Sequence, residues 1–341
     1  MTQHVAKFVL ALTATFGLCA APFAQAVEHG NVQFDVSPDG EHIVFVAADG
    51  NLYLLHLTSL RVRQLTKAKD KQFTPAFSPD GKSIAYAGLT KEDEGGSYIF
   101  VRSLDGEHVR QLTGTREVSD LTPSYSHDGS KLVFTRAHRY RPYSMGGWTW
   151  DNYDVYTMNL DGTELRRITR QNYYSAGSPK FLRDGKSVIY SAFVGPAGKR
   201  VTATAFQVDA SGHQLPKPLS KDQPAEEGEF FAWASWANIS ADGSRIVFFS
   251  DRVKAYQYDL FVMNSDGTSP KPLHVTKISR YNDNAVFMPD GKSILFLAGT
   301  ESGDGNRPLY SLWQVNVDGS NLRQIADSGL FTSPAQWKPA R

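Results

Sequence analysis

One motif recurs six times in this chain, an Asp-Gly pair just after a short apolar stretch: SPDG at Ser37, SPDG at Ser78, SHDG at Ser126, LRDG at Leu182, SADG at Ser240 and MPDG at Met288. Between alternating apolar runs, Asp-Gly signals a hairpin turn, because glycine accepts the positive φ that a tight turn requires. Six residues after each of these aspartates stands an aromatic: Phe45, Tyr86, Phe134, Tyr190, Phe248 and Phe296. Two residues before each aromatic is an aliphatic: Ile43, Ile84, Leu132, Val188, Ile246 and Ile294.

A second aromatic column follows at Tyr53, Phe100, Tyr156, Phe206, Phe261 and Trp313. Twelve or thirteen residues further on come Leu65, Leu112, Ile168, Leu219, Leu273 and Ile325, in motifs such as VRQLT and LRRIT. Each repeat therefore reads as four strands: A before the Asp-Gly turn, B with the first aromatic, C with the second, and D with the RQLT element. Pro216, Pro218, Pro270 and Pro272 fall in two of the D elements, which places D at a sheet edge. One four-stranded unit cannot bury both faces of its sheet, whereas six arranged radially can. The expected fold is all-β, a six-bladed β-propeller of four-stranded antiparallel blades. The aromatic columns are core, since burial of each such side chain contributes about 1.5–3 kcal/mol.

Residues 1–26 read as a secretory signal, with Lys7, the apolar run from Phe8 and a small-x-small site at Ala24-Gln25-Ala26, so cleavage is expected before Val27. No later stretch approaches the length of a spanning helix. The only cysteine, Cys19, leaves with the signal, so the mature chain cannot rest on disulfides or thiolate sites. The 36 basic and 35 acidic residues lose one lysine and no acid with the signal, leaving 35 of each. That balance supplies no general attraction to nucleic acid.

Spacing within A–B and C–D is almost constant, but the B-to-C aromatic spacings are 8, 14, 22, 16, 13 and 17, and the D-to-next-Asp spacings are 15, 16, 16, 23 and 17. With antiparallel strands, the B–C and D–A connections share one end of the propeller. Insertions confined to one face of a repeat array mark a binding face. The longest B–C connection, in the third repeat, carries Arg139, Tyr140, Arg141, Tyr143, Trp148 and Trp150. Tyr173 and Tyr174 begin the next D–A connection, and Phe230, Phe231 and Trp233 lie in the long one before the fifth repeat. Tyr, Trp and Arg offer rigid area with a polar tip, the residue types that dominate interface energetics, so these residues are the candidate partner-binding set.

No G-x-S-x-G elbow or H-E-x-x-H spacing is present, and the histidines are scattered. No catalytic residue, metal ligand set or cofactor is expected. His138 reads as a solvated loop residue. Loop acids at Glu92, Asp93, Glu94, Asp151, Asp154, Glu226, Glu227, Glu229 and Asp304 could in principle supply paired carboxylates for glycoside hydrolysis. The repeated contexts YDVYTMN and YDLFVMN give Asp154 and Asp259 the same structural role at the start of strand C.

The stretches FSPDGKSIAY, FMPDGKSILF, YDVYTMNLDGTELRRIT and YDLFVMNSDGT resemble the repeats of the TolB-type, WD40-like β-propeller family. The resemblance covers nearly all of residues 31–341 and implies a stand-alone exported propeller lacking the N-terminal domain of TolB. The expected domains are a signal peptide, 1–26, and one propeller, 27–341, with repeats at about 31–68, 69–115, 116–171, 172–222, 223–277 and 278–328. Residues 329–341 form a closing segment, where Ser333–Pro339 resembles Thr74–Pro79 and is expected to add an A-like strand to the ring closure. The resulting expectation is a periplasmic or secreted scaffold that binds an envelope protein or peptide. A glycan-acting enzyme or glycan-binding, lectin-like propeller is the reading from a different class.

Overall fold

The computed structural model describes residues 33–89, 96–142, 148–194, 202–219, 235–254, 257–279, 281–300 and 309–339. Blade 1 holds β1 (Phe34–Val36), β2 (His42–Val46), β3 (Leu52–His56) and β4 (Val62–Gln64); blade 2 holds β5 (Gln72–Phe77), β6 (Ser83–Leu89), β7 (Ser97–Ser103) and β8 (Val109–Gln111). Blade 3 holds β9 (Ser119–Tyr125), β10 (Lys131–Pro142), β11 (Trp148–Asn159) and β12 (Arg166–Arg167); blade 4 holds β13 (Ser175–Phe181), β14 (Ser187–Val194), β15 (Thr202–Asp209) and β16 (Lys217–Pro218). Blade 5 holds β17 (Ser235–Ile239), β18 (Arg245–Ser250), β19 (Asp259–Asn264) and β20 (Lys271–Pro272); blade 6 holds β21 (Tyr281–Phe287), β22 (Ser293–Thr300), β23 (Leu309–Asn316) and β24 (Arg323–Ala326). Each blade is a four-stranded sheet in sequence order, antiparallel throughout.

The two aromatic columns meet in register. Phe45 lies opposite Tyr53, Tyr86 opposite Phe100, Phe134 opposite Tyr156, Tyr190 opposite Phe206, Phe248 opposite Phe261 and Phe296 opposite Trp313. Five of these pairs, in blades 1 to 5, stack at 5.5–5.9 Å, the geometry that the ring quadrupole favours. The threonine closing the RQLT element ties the outer edge to strand C, where Thr66, Thr113 and Thr169 accept the backbone N–H of Leu52, Ile99 and Val155. The expected equivalence of Asp154 and Asp259 holds, since each accepts a backbone N–H from the segment after its own strand D, Gln171 and Val275.

Blades are joined by side chains reaching backbone. Arg102 donates to the Leu65 carbonyl of blade 1 at 2.5 Å, and Arg245 donates to the Gly291 carbonyl of blade 6 at 2.6 Å. The ring closes where blade 1 meets blade 6, in a cluster joining Phe34, Phe45 and Leu55 to Leu295, Leu297 and Leu312. Here the expected A-like strand at Ser333–Pro339 is corrected: among the described residues, the segment forms a helical turn, α1 (Gly329–Thr332), followed by turns. The inner place of blade 1 is already taken by β1, paired Phe34 to Phe45, so no strand slot is open. The segment still fastens the ring. Phe331 packs edge-on against Phe45 at 5.4 Å, its carbonyl accepts the Ala48 N–H at 2.9 Å, and Trp337 Nε1 donates to Asp327 at 2.8 Å.

One inner-strand carboxyl is poorly accommodated. Asp283 of β21 accepts the Asn284 N–H at 2.8 Å but has no cationic partner among the described residues, and burial pushes its carboxyl up to about 7. A folded value above the unfolded one means stability is fullest in acid and is lost as the pH rises from about 4 towards 7. Asp283→Asn is therefore expected to melt with the wild type at pH 4 and several degrees above it at pH 8, a gain of about 2 kcal/mol once water access is allowed for. Equal melting temperatures at pH 8 would contradict the burial argument.

Candidate binding face on blade 3

The most irregular stretch of sequence is a β-hairpin, not a loop. Strands β10 and β11 pair from Lys131–Asn159 out to Pro142–Trp148, twelve residues each. Neighbouring β9 pairs with β10 only as far as Ala137, and β12 meets β11 only at Tyr156 and Thr157. The ends of β10 and β11 therefore stand beyond the rest of their sheet, with Asn152 kinked at a φ of 59°. Alternation makes the extension possible: residues 139 and 141 share one face and 140 the other.

The geometry divides the candidate residues. Arg139 lies directly opposite Asp151, and its Nε and Nη2 donate to the two carboxylate oxygens at 2.7 and 2.8 Å. Arg141 donates to the same carboxylate from one step along the strand. Burial alone would raise the Asp151 carboxyl, but the hydrogen bonds and charges of Arg139 and Arg141 hold it below its ordinary value. Two guanidiniums on one carboxylate leave one surplus positive charge, and the Arg139 side chain remains 53% exposed. Tyr140 and Trp150 are likewise cross-strand partners, with ring centroids 5.0 Å apart; Trp150 is buried and Tyr140 half-buried.

Tyr173 is corrected from surface to core. It is buried, its backbone bridges Tyr153, and its hydroxyl meets that of Tyr190 at 2.7 Å. Tyr174 is half-buried beside it. Tyr143, Phe230, Phe231 and Trp233 lie outside the described residues, as does the side chain of Trp148. So do the acids Glu92, Asp93, Glu94, Glu226, Glu227, Glu229 and Asp304.

Beneath the hairpin lies a polar layer absent from the expected site. Asp120 of β9 and Arg136 of β10 form a bidentate pair at 2.6 and 2.8 Å, with both side chains almost fully buried. The Arg136 guanidinium also lies 5.0 Å from the centre of the Tyr156 ring. His138 is a half-buried strand residue rather than a solvated loop one, its Nε2 3.0 Å from the Tyr156 hydroxyl. Burial first, and then Arg167, push its imidazole below the ordinary value, which keeps it neutral near pH 7. Asp154 is buried and held by Arg167, Thr169 and the Gln171 N–H. Asp120, Asp151 and Asp154 are each committed to arginine, so none of these three is free to act as a general acid or base.

Comparison with known proteins agrees with the architecture. Residues 29–191 match the PD40 family, the TolB beta propeller domain. The Tol-Pal system protein TolB of Francisella tularensis subsp. mediasiatica (strain FSC147) is 26% identical over 158 residues, 45% of this chain and 33% of that protein. The match thus spans about a third of the length of this curated relative. Among solved structures, TolB from Acinetobacter baumannii superposes with a TM-score of 0.58 at 19% identity, covering 89% of this chain and 64% of that one. Oligogalacturonate lyase from Vibrio parahaemolyticus superposes with 0.60 at 17% identity, covering 86% and 77%. At such identities these two structures speak for the fold alone. The protein is a six-bladed β-propeller. Within residues 29–191 its repeats are similar to those of the TolB type.

Proposed function

We propose that this chain is an exported scaffold of the cell envelope, released into the periplasm by cleavage before Val27, that holds a protein or peptide partner on the face bearing the blade 3 hairpin. The observation that carries the reading is the hairpin itself. A strand pair extended beyond its sheet, with its one carboxylate neutralised twice over and with Arg139, Arg141 and Tyr140 at or near its surface, suits recognition of an acidic or polar protein surface. The Tol-Pal relative supports an envelope setting. The paired acids that glycoside hydrolysis requires are not free at Asp120, Asp151 or Asp154.

Because Arg139 faces Asp151, residues 140–150 can be replaced by Asn-Gly, a two-residue turn that joins facing strand positions. The tip-deleted variant gives up the buried Trp150 and is expected to melt below the wild type while remaining folded at about 25 °C, and to lose a protein that the wild type crosslinks in intact envelopes. Identical recovery by both proteins contradicts the reading, and retention of an envelope glycan in place of a protein would favour the glycan-binding class.

A further inference from the structure

At the Asp-Gly end, opposite the hairpin, the inner strands of all six blades enclose a funnel of about 410 Å³, which narrows into a neck of about 60 Å³. The repeat makes its wall legible as three rings with one residue per blade. The middle ring is Val36, Phe77, Tyr125, Phe181, Ile239 and Phe287, wholly aliphatic or aromatic apart from one hydroxyl. Outside it, the turn position that is proline in blades 1, 2 and 6 becomes His127 in blade 3 and Arg183 in blade 4.

The innermost ring departs furthest from repetition. Its members are Asp35, Ala76, Ser124, Lys180, Asn238 and Val286, and Lys180 lines both funnel and neck. Blades 1 and 4 are three places apart in a ring of six, so Asp35 and Lys180 face each other across the channel. They are too far apart to count as an ion pair. Asp35 instead accepts the Phe77 N–H at 2.8 Å. Among the described residues, Lys180 and Arg183 make no side-chain hydrogen bond and no ion pair, and both come from blade 4. An apolar wall therefore carries two cations without an ion pair on one side, while the single acid, which feels the Lys180 charge across the channel, is already bonded to the chain. Packing of a propeller needs the apolar ring but neither cation.

We propose that the funnel binds a small organic anion, one carboxylate on a compact apolar body, with the carboxylate held between Lys180 and Arg183 and the body against the middle ring. A volume of about 410 Å³ falls in the range of small-molecule sites, in which an apolar lining with a few placed polar groups is usual. The carboxylate belongs to a free acid or to the C-terminal residue of a peptide, and both present the same chemistry to blade 4. The site lies on the face opposite the hairpin and does not depend on what the hairpin binds.

Titration calorimetry of the full chain with hexanoate, phenylacetate, hexanol and hexylammonium tests the proposal. The two acids are expected to bind with one site per chain, the alcohol at least tenfold more weakly and the amine not at all. Lys180→Met is expected to weaken acid binding at least tenfold, and Arg183→Met, an exposed change that leaves packing untouched, to weaken it measurably. A tripeptide ending in phenylalanine is compared with its amide: acid-specific binding of the tripeptide without binding of the free acids assigns the peptide terminus as the source. Equal binding of hexanol and hexanoate, unchanged affinity in both variants, or no binding of any acid overturns the proposal. Capture by the hairpin should be unaffected in Lys180→Met, which separates this site from the opposite face.

Discussion

Asp120→Ala is expected to destabilise the protein by about 3–5 kcal/mol, because it strands a guanidinium rather than removing a surface charge. Only 6% of the Arg136 side chain and none of the Asp120 side chain reaches solvent, and both guanidinium bonds go to this one carboxylate. The aromatic faces of Phe134 and Tyr156, 5.7 and 5.0 Å from the guanidinium, soften the loss but do not replace a charged partner. In a chain of this length, the loss corresponds to a melting temperature lower by roughly 4–7 °C. Adding Arg136→Met to Asp120→Leu, which replaces the pair by apolar groups, should restore most of the stability. A single variant that melts within two or three degrees of the wild type would show that water reaches Arg136.

Gly267→Ala is expected to cost a similar amount for a different reason. The glycine lies in the C–D turn of blade 5 with a φ of 87°, and an added Cβ would stand 1.9 Å from the Leu219 carbonyl oxygen of blade 4. Left-handed strain accounts for about 1–2 kcal/mol and forced separation of the blades for about 1–3 more. Gly162 is the internal control. It occupies the same turn of blade 3 at a φ of 90°, yet its added Cβ would lie 3.6 Å from the Leu112 oxygen. Gly162→Ala should therefore show only the strain. Denaturant unfolding of the two variants separates conformation from contact, and equal losses would mean that the blade 4–blade 5 spacing is looser than described.

The fold was legible because its strongest signals are local. Asp-Gly turns set each A–B hairpin, and the constant spacing from Asp to the B aromatic places Phe45, Tyr86 and their counterparts at one height, where each meets its strand C partner. The closure was misread because Ser333–Pro339 matches an A strand in composition, while the availability of a place in blade 1 depends on β1, some three hundred residues away. The elaborated hairpin was legible as an irregular stretch but not as a surface. Arg139 and Asp151 stand twelve residues apart, and only the register of two long strands brings them together. The same register hides Trp150 and, through its bridge to Tyr153, Tyr173. Asp120 gave no signal beforehand, since an acid in a β-prone run is recognisable as a buried partner only when Arg136 is known to lie opposite. The funnel rings escaped notice because their positions vary in chemistry from blade to blade, and a varying column leaves no motif.

Site-specific photocrosslinking in intact envelopes tests the central claim most directly. A photoreactive amino acid is placed at Tyr140 on the hairpin and, as a control, at Ser130 in the Asp-Gly turn at the other end of the same blade. Crosslinking of one discrete envelope protein from position 140, and none of it from position 130, is the expected result. The same adduct from both positions, or none from position 140 in a folded protein, would contradict the assignment of the hairpin as the partner-binding surface.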